Sequence, residues 1–350
     1  MVTDTSAQIK SYLQWLQEDT PTTWWHDSAD PAELERGLQH KATGVTTNPI
    51  LAATALSDKP AFWAERIGTI PNNLSADEYA ETLMKPMIQN AARMFEPQFN
   101  ATQGELGYVC AQVSPALAAD RKAMIETARR FNQWAPNIAV KFPATAAGLD
   151  ALEECIAEGI TITSTVNFTV PQVLATAEKH RKGAERAKKA GKKSGRCFAV
   201  IMIGRLDDYL RDVACDNPIE VSESDIQQAG LAVTKRAYAM FQAAGYEATL
   251  LVAALRGNYH MEELAGAKLI MSIHPKIQDM LLEPGVTREL RINKPVADDV
   301  IARLQSMTEF VKAYEPDIMQ PEDFIYYGVV QRTLTQFILS GWASLQRMNI

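Results

Sequence analysis

Apolar residues recur along this chain in two rhythms, a helical one and a strand-like one, and the two take turns. Ser6–Gln17 sets Ile9, Tyr12, Leu13 and Leu16 on one side of an amphipathic helix. Thr22–Asp27 reads as a strand, after which Asp27-Ser28-Ala29-Asp30-Pro31 offers an N-cap residue and a first-turn proline for a helix running to Leu38. Either Asp27 or Asp30 can be that cap. Gly44–Thr47 is a second strand, and Asn48-Pro49 opens the next helix. Leu56–Gly104 looks like an insertion, helical around Phe62-Trp63 and again from Ala76 to Met94. Leu106–Val113 is the third strand, with a helix over Asp120–Phe131 behind it. Ile138, Ala139 and Val140 form a buried fourth strand that delivers Lys141 at its C-terminal end. Gly148–Ile156 then has the spacing of a helix, Gly159 can close it, and Ile160–Phe168 is a threonine-rich fifth strand. Cys197–Ile203, Ala248–Ala254 and Ala267–Ile273 make eight strands.

Strand, helix, strand implies parallel neighbours joined by right-handed crossovers. Eight such strands, with no Gly-x-Gly-x-x-Gly, predict the α/β class and a closed (β/α)8 TIM barrel rather than a dinucleotide-binding sheet. The remainder, Pro275–Ile350, is helical in pattern. No repeat or linker marks a boundary. Residues 1–350 therefore read as a single domain, with extra helices at the N-terminus and a C-terminal helical extension from about residue 276 to 350.

Composition narrows the function. The 350 residues exceed the roughly 250 of a plain barrel, and 47% apolar residues supply a large core. A formal charge of −7 argues against a nucleic-acid partner. The basic run His180–Arg196 lacks interleaved aromatics and reads as the solvated face of a helix and its loop. No apolar run reaches the ~18 residues of a membrane span, and the polar N-terminus does not resemble a signal peptide. Cys110, Cys155, Cys197 and Cys215 show no Cys-x-x-Cys spacing and read as reduced, buried thiols of a cytoplasmic protein. The five histidines carry no metal-ligand spacing, so neither a metal nor another cofactor is expected.

The chemistry centres on Lys141. A lysine at the end of a buried strand is either paired with a carboxylate or has its pKa pushed down, and the second case gives an amine able to form a Schiff base. The surrounding residues are Lys141-Phe142-Pro143-Ala144-Thr145, then a helix, then Gly159-Ile160, Thr165 and Phe168; a separate block reads Gly44-Val45-Thr46-Thr47-Asn48-Pro49. In both blocks, and in their order, the chain resembles the transaldolase family of class I aldolases. The resemblance implies a lysine Schiff-base enzyme of carbohydrate metabolism, placed in the pentose phosphate pathway, that transfers a dihydroxyacetone unit between sugar phosphates. It leaves room for a homodimer.

The ends of the expected strands carry Asp27, Thr47 with Asn48, Gln112, Lys141, Thr163 with Thr165, Gly204 with Arg205, and Arg256. By the resemblance, Lys141 forms the imine, Asp27 moves the proton of the C4 hydroxyl, and Thr165 holds a water for imine formation. Thr47, Asn48 and Thr163 contact the sugar, and Arg205 and Arg256 grip its phosphate. Three positions depart from the family pattern: Gln112 stands for a glutamate, Thr163 for an asparagine and Val200 for a serine. The related fructose-6-phosphate aldolases also carry glutamine at the first of these, with a tyrosine where this chain has Met202. Two alternatives follow. One is a retro-aldolase releasing dihydroxyacetone from a phosphorylated or sulfonated ketose. The other is a non-catalytic sugar-phosphate-binding protein.

Overall fold

A computed structural model of the chain describes residues 10–217 and 219–350. Its strands are β1 (Thr23–His26), β2 (Gly44–Val45), β3 (Tyr108–Gln112), β4 (Ile138–Pro143), β5 (Ile162–Thr165), β6 (Cys197–Met202), β7 (Thr249–Ala253) and β8 (Ile270–Ile273). All pair in parallel and in chain order, and β8 returns to β1, closing the expected (β/α)8 barrel. Helices α1 (Tyr12–Asp19) and α2 (Pro31–Gln39) flank β1, while α3 (Pro49–Asp58), α4 (Pro60–Ile67) and α5 (Ala76–Ala101) fill the stretch between β2 and β3. The helices α6 (Arg121–Phe131), α7 (Ala146–Ala157) and α8 (Val170–Lys189) follow β3, β4 and β5. Next come α9 (Ile203–Asp216) and α10 (Glu223–Ala244) after β6, α11 (Asn258–Leu264) after β7 and α12 (Pro275–Leu282) after β8. The C-terminal extension holds α13 (Asp298–Leu304), α14 (Thr308–Tyr314), α15 (Pro321–Phe324) and α16 (Gly328–Gln336). A π-helical turn, Phe337–Trp342, leads on to α17 (Ala343–Arg347).

Parallel strands in register send every second residue to the same side of the wall. The pairings Gly44 with Tyr108, Gln112 with Lys141, Lys141 with Thr163, and Val200 with Leu251 define the inward set. Near the N-terminal ends of the strands, inward rings fill the barrel. Phe198 meets Trp25 edge-on at 4.7 Å and Tyr108 at 5.4 Å between centroids. Gly44 makes this layer fit, because a Cβ there would lie 2.5 Å from the Trp25 indole. Further along the strands, toward their C-terminal ends, Asp27, Thr46, Gln112, Lys141 and Ser272 bring polar side chains to the interior beside the apolar Val200 and Leu251.

Several boundaries differ from the sequence reading, each for a local reason. The N-terminal helix starts at Tyr12 behind a capping box of Ser11 and Gln14; the Ser6–Ile9 portion of the expected helix lies outside the described residues. Of the two cap candidates it is Asp30, the one the family pattern favours, that caps α2, in agreement with the sequence reading, accepting from Ala32 N at 2.9 Å and Glu33 N at 3.2 Å. The fifth strand stops at Thr165 because Val166 turns into the left-handed region at φ 57°. The buried Gln172 side chain holds that turn, donating to Val166 O at 3.0 Å and accepting from Phe168 N at 2.9 Å. β6 passes into α9 with no loop, so Gly204 and Arg205, expected at a strand end, lie in the first helical turn. Cys110, Cys155 and Cys197 are buried as expected, whereas Cys215, on the polar outer side of α9, is exposed.

Candidate active site

A cavity of about 390 Å³ opens at the C-terminal ends of the strands. Of the nine residues expected in the site, Asp27, Asn48, Lys141, Arg205 and Arg256 line it. Thr46, Ser272, His274, Lys276 and Phe337 line it as well, and an apolar wall of Val200, Met202, Leu251 and Leu255 completes it.

Lys141 comes from the middle of β4, where apolar neighbours on both sides force its side chain inward. It is 7% exposed. Its ammonium nitrogen donates to Thr47 O at 3.1 Å, and no carboxylate pairs with it among the described residues. Burial therefore pulls its pKa below the ordinary lysine value, and the Arg205 charge acts in the same direction, against Asp27.

Asp27 follows β1 and is half-buried. With Asp30 serving as the cap, its carboxylate is free of helix duty and accepts from Thr46 Oγ1 at 2.6 Å. That hydroxyl is in turn 2.5 Å from Ser272 Oγ, so one short network from β1, β8 and the end of β2 orients the carboxylate. Asn48 caps α3 through Oδ1, accepting from Ile50 N at 2.9 Å and Leu51 N at 3.0 Å, which leaves its amide NH₂ as the group available to the cavity.

Four expected residues are not among those that line the cavity. Thr47 Oγ1 donates to Cys110 O at 2.9 Å, and its neighbour Thr46 has the place in the site that the sequence assigned to Thr47. Alternation explains the exchange, since Thr46 has the inward parity of Gly44. Thr163 Oγ1 lies 3.4 Å from Cys110 Sγ. Thr165 finds a weak acceptor, Met202 Sδ, at 3.9 Å. Gln112, register partner of Lys141, is 4% exposed, and its Oε1 is buried without a hydrogen-bond partner among the described residues. A buried polar atom left this way costs about 1–3 kcal/mol unless water or a ligand meets it.

The two arginines differ in their commitments. Arg256 folds back on its own turn: Nε and Nη2 reach Asp208 Oδ2 at 3.0 and 2.6 Å, and Nη1 donates to Ala254 O at 2.8 Å. Burial works to raise the Asp208 carboxyl, and Arg256 together with Arg211 outweighs it, holding the pKa below the usual value. Arg205 has no carboxylate partner among the described residues. It donates to Gln336 Oε1 at 2.5 Å and lies over the Phe337 ring, 5.2 Å from its centroid. Burial and the nearby Arg256 lower its pKa. Lys141, Arg205, Arg256 and Lys276 thus face a single carboxylate, Asp27, across the cavity. That balance suits an anion.

The sequence model of the family described as Transaldolase/Fructose-6-phosphate aldolase matches residues 24–338. The chain belongs to that family. Among curated relatives, Transaldolase 2 of Nostoc punctiforme is 30% identical over 212 residues, 59% of this chain and 55% of that protein. The transaldolase of Kocuria rhizophila is 29% identical over 236 residues, 64% of each chain, and that of Thermobifida fusca 28% identical over 244 residues, 66% of each. The chain thus spans between about half and two thirds of the length of these relatives. No described helix is long and apolar enough to cross a membrane.

The sequence reading missed His274, Lys276 and Ser272 because it drew no candidate from the end of β8. The signal was present: His274-Pro275 after an apolar run marks a helix start at a strand end, the same pattern as Asn48-Pro49. Phe337 and Gln336 lie some 130 residues further on than the arginine they touch, and no spacing rule connects them.

Proposed function

We propose that this protein is a Schiff-base transaldolase that moves a dihydroxyacetone unit between anionic sugars, the whole chain working as one barrel with its helical extension. The observation that carries the reading is Lys141: a buried amine of lowered pKa at the cavity wall, hydrogen-bonded to a backbone carbonyl rather than to a carboxylate. Attack of the neutral amine on a C2 ketone gives a carbinolamine, and loss of water gives the protonated imine. The imine then takes up the electron pair released when C3–C4 breaks, as Asp27 accepts the C4 hydroxyl proton and the aldehyde leaves. Addition of the resulting enamine to an acceptor aldehyde, with the proton returned from Asp27, and hydrolysis of the imine complete the cycle. Arg205 and Arg256, with Lys276 at the rim, take the phosphate, and Asn48 and Thr46 hold hydroxyls of the three-carbon fragment.

Gln112 favours one second reading. A carboxamide cannot relay protons to the carbinolamine, and this is the residue the fructose-6-phosphate aldolase branch carries. A retro-aldolase releasing free dihydroxyacetone from a phosphorylated or sulfonated ketose uses the same imine. The deciding experiment is borohydride reduction with fructose 6-phosphate, with and without an acceptor aldehyde. A covalent adduct on Lys141, lost in Lys141→Met, supports imine chemistry, and turnover that requires the acceptor supports the transferase. An unlabelled Lys141 with bound substrate would leave a sugar-phosphate binder.

A further inference from the structure

The turn that carries Arg256 is strained and is clamped from beneath. Ala254, the first residue after β7, has φ 59°, a left-handed conformation that costs an L-residue about 1–2 kcal/mol. Such a residue persists where its surroundings over-determine it. From above, the Arg256 guanidinium donates to Ala254 O and Leu255 O. From below, the Arg256 backbone N–H points at His260 Nδ1, 3.2 Å away. The other ring nitrogen of His260 is 3.0 Å from Asp207 Oδ2, and Asp207 Oδ1 accepts from Gly230 N on α10 at 2.8 Å. Asp207 and His260 are both fully buried, and the Tyr259 ring lies against the imidazole at 4.2 Å between centroids.

Donor and acceptor counting assigns the tautomer. A backbone N–H can do nothing but donate, so Nδ1 must carry the lone pair; the proton is on Nε2 and is given to the Asp207 carboxylate. We propose that His260 and Asp207 form a positioning pair, Asp207 fixing the Nε2–H tautomer of His260 so that Nδ1 holds the Arg256 backbone and aims its guanidinium at the substrate's anionic group. This rests on the reading of Arg256 as an anion grip. Neither residue lines the cavity, and neither touches the reacting atoms.

The test uses the full-length enzyme, with fructose 6-phosphate as the anionic ketose and fructose, cleaved at the same C3–C4 bond, as the neutral one. The quantity read is the ratio of kcat/KM for the two. Asp207→Asn preserves shape, but its amide NH₂ donates to Nε2 and drives the ring proton to Nδ1, where it opposes the Arg256 N–H. The ratio is expected to fall about tenfold, the value of one hydrogen bond. ¹⁵N spectra should show His260 protonated at Nε2 in the wild type and at Nδ1 in Asp207→Asn. His260→Asn places an amide oxygen near the Nδ1 position, so it should retain the ratio better than His260→Ala even though both lose the contact with Asp207 and both lose stability. Where His260→Ala fails to fold, the comparison of Asp207→Asn with His260→Asn carries the test. A wild-type His260 protonated at Nδ1, or a ratio that Asp207→Asn leaves unmoved while Arg256→Ala lowers it, overturns the positioning pair. A ratio unmoved by Arg256→Ala itself overturns the anion grip instead.

Discussion

Lys141, in the role proposed for it, sets function against stability at the scale of one residue. Its folded-state pKa is lowered by burial, so between that value and the unfolded value of about 10.4 the unfolded chain binds a proton that the native chain does not. Stability therefore rises with pH across that window, and below it the native state bears the full cost of a buried ammonium. Lys141→Met removes the cost. It is expected to abolish turnover while raising the free energy of unfolding by about 1 kcal/mol at the low-pH side of the window, an advantage that shrinks as pH climbs. Urea titrations at several pH values check the sign, and the rate of borohydride trapping in the wild type should rise with pH and level off below the ordinary lysine range. Asp27 is a second residue-scale case. Asp27→Asn can still accept from Thr46 but takes no proton, so kcat should fall by about 10²–10⁴ while the Lys141 adduct still forms in a borohydride quench. Lys141 itself was legible in the sequence because its apolar run and its Pro-Ala-Thr sequel are contiguous. Thr46 was harder to read: adjacent threonines are told apart by strand parity, and parity is settled by pairing with β1 and β3.

At the scale of elements, the barrel interior is two tiers stacked along the strands. An aromatic tier of Trp25, Tyr108 and Phe198 excludes water below, and the polar tier above it holds the amine. Gly44→Ala forces a Cβ into the Trp25 ring from a two-residue strand that has little length over which to absorb the shift. It should cost about 1–3 kcal/mol, read as a lower urea midpoint at unchanged m-value, and should slow trapping at Lys141 because the tier supporting it moves. The alternating rhythm in the sequence located all eight strands, since period-2 and period-3.6 patterns are properties of contiguous residues. It overran the ends of β2, β5 and β6. The fifth strand ends where Gln172 reaches back to a left-handed Val166, and β6 ends where α9 begins without a loop, both being contacts beyond the window of any periodicity.

At the scale of the whole molecule, the last part of the chain is drawn back across the barrel mouth. Trp342 Nε1 and Gln346 Nε2 both donate to Asp77 Oδ1, at 2.6 and 2.8 Å, and Tyr79 donates to Met348 O at 2.7 Å, so the start of α5 tethers the π-helical turn whose first residue, Phe337, lines the cavity. Asp77→Ala leaves the buried indole N–H without its acceptor. It should lower stability by about 1–3 kcal/mol and raise KM for fructose 6-phosphate several-fold through Gln336 and Arg205, with kcat changed far less, as steady-state kinetics would show. The sequence by itself determined the barrel class, the order of its units and the identity of the buried amine, because each is written in neighbours a few positions apart and local physics suffices to read them. Tertiary structure alone decided which of two threonines faces the cavity, that the end of β8 adds His274 and Lys276, that Arg205 is held by residues from the far end of the chain, and that a buried histidine supports Arg256. Those are relations between side chains brought together by barrel closure, and no spacing along the chain encodes the distance between them.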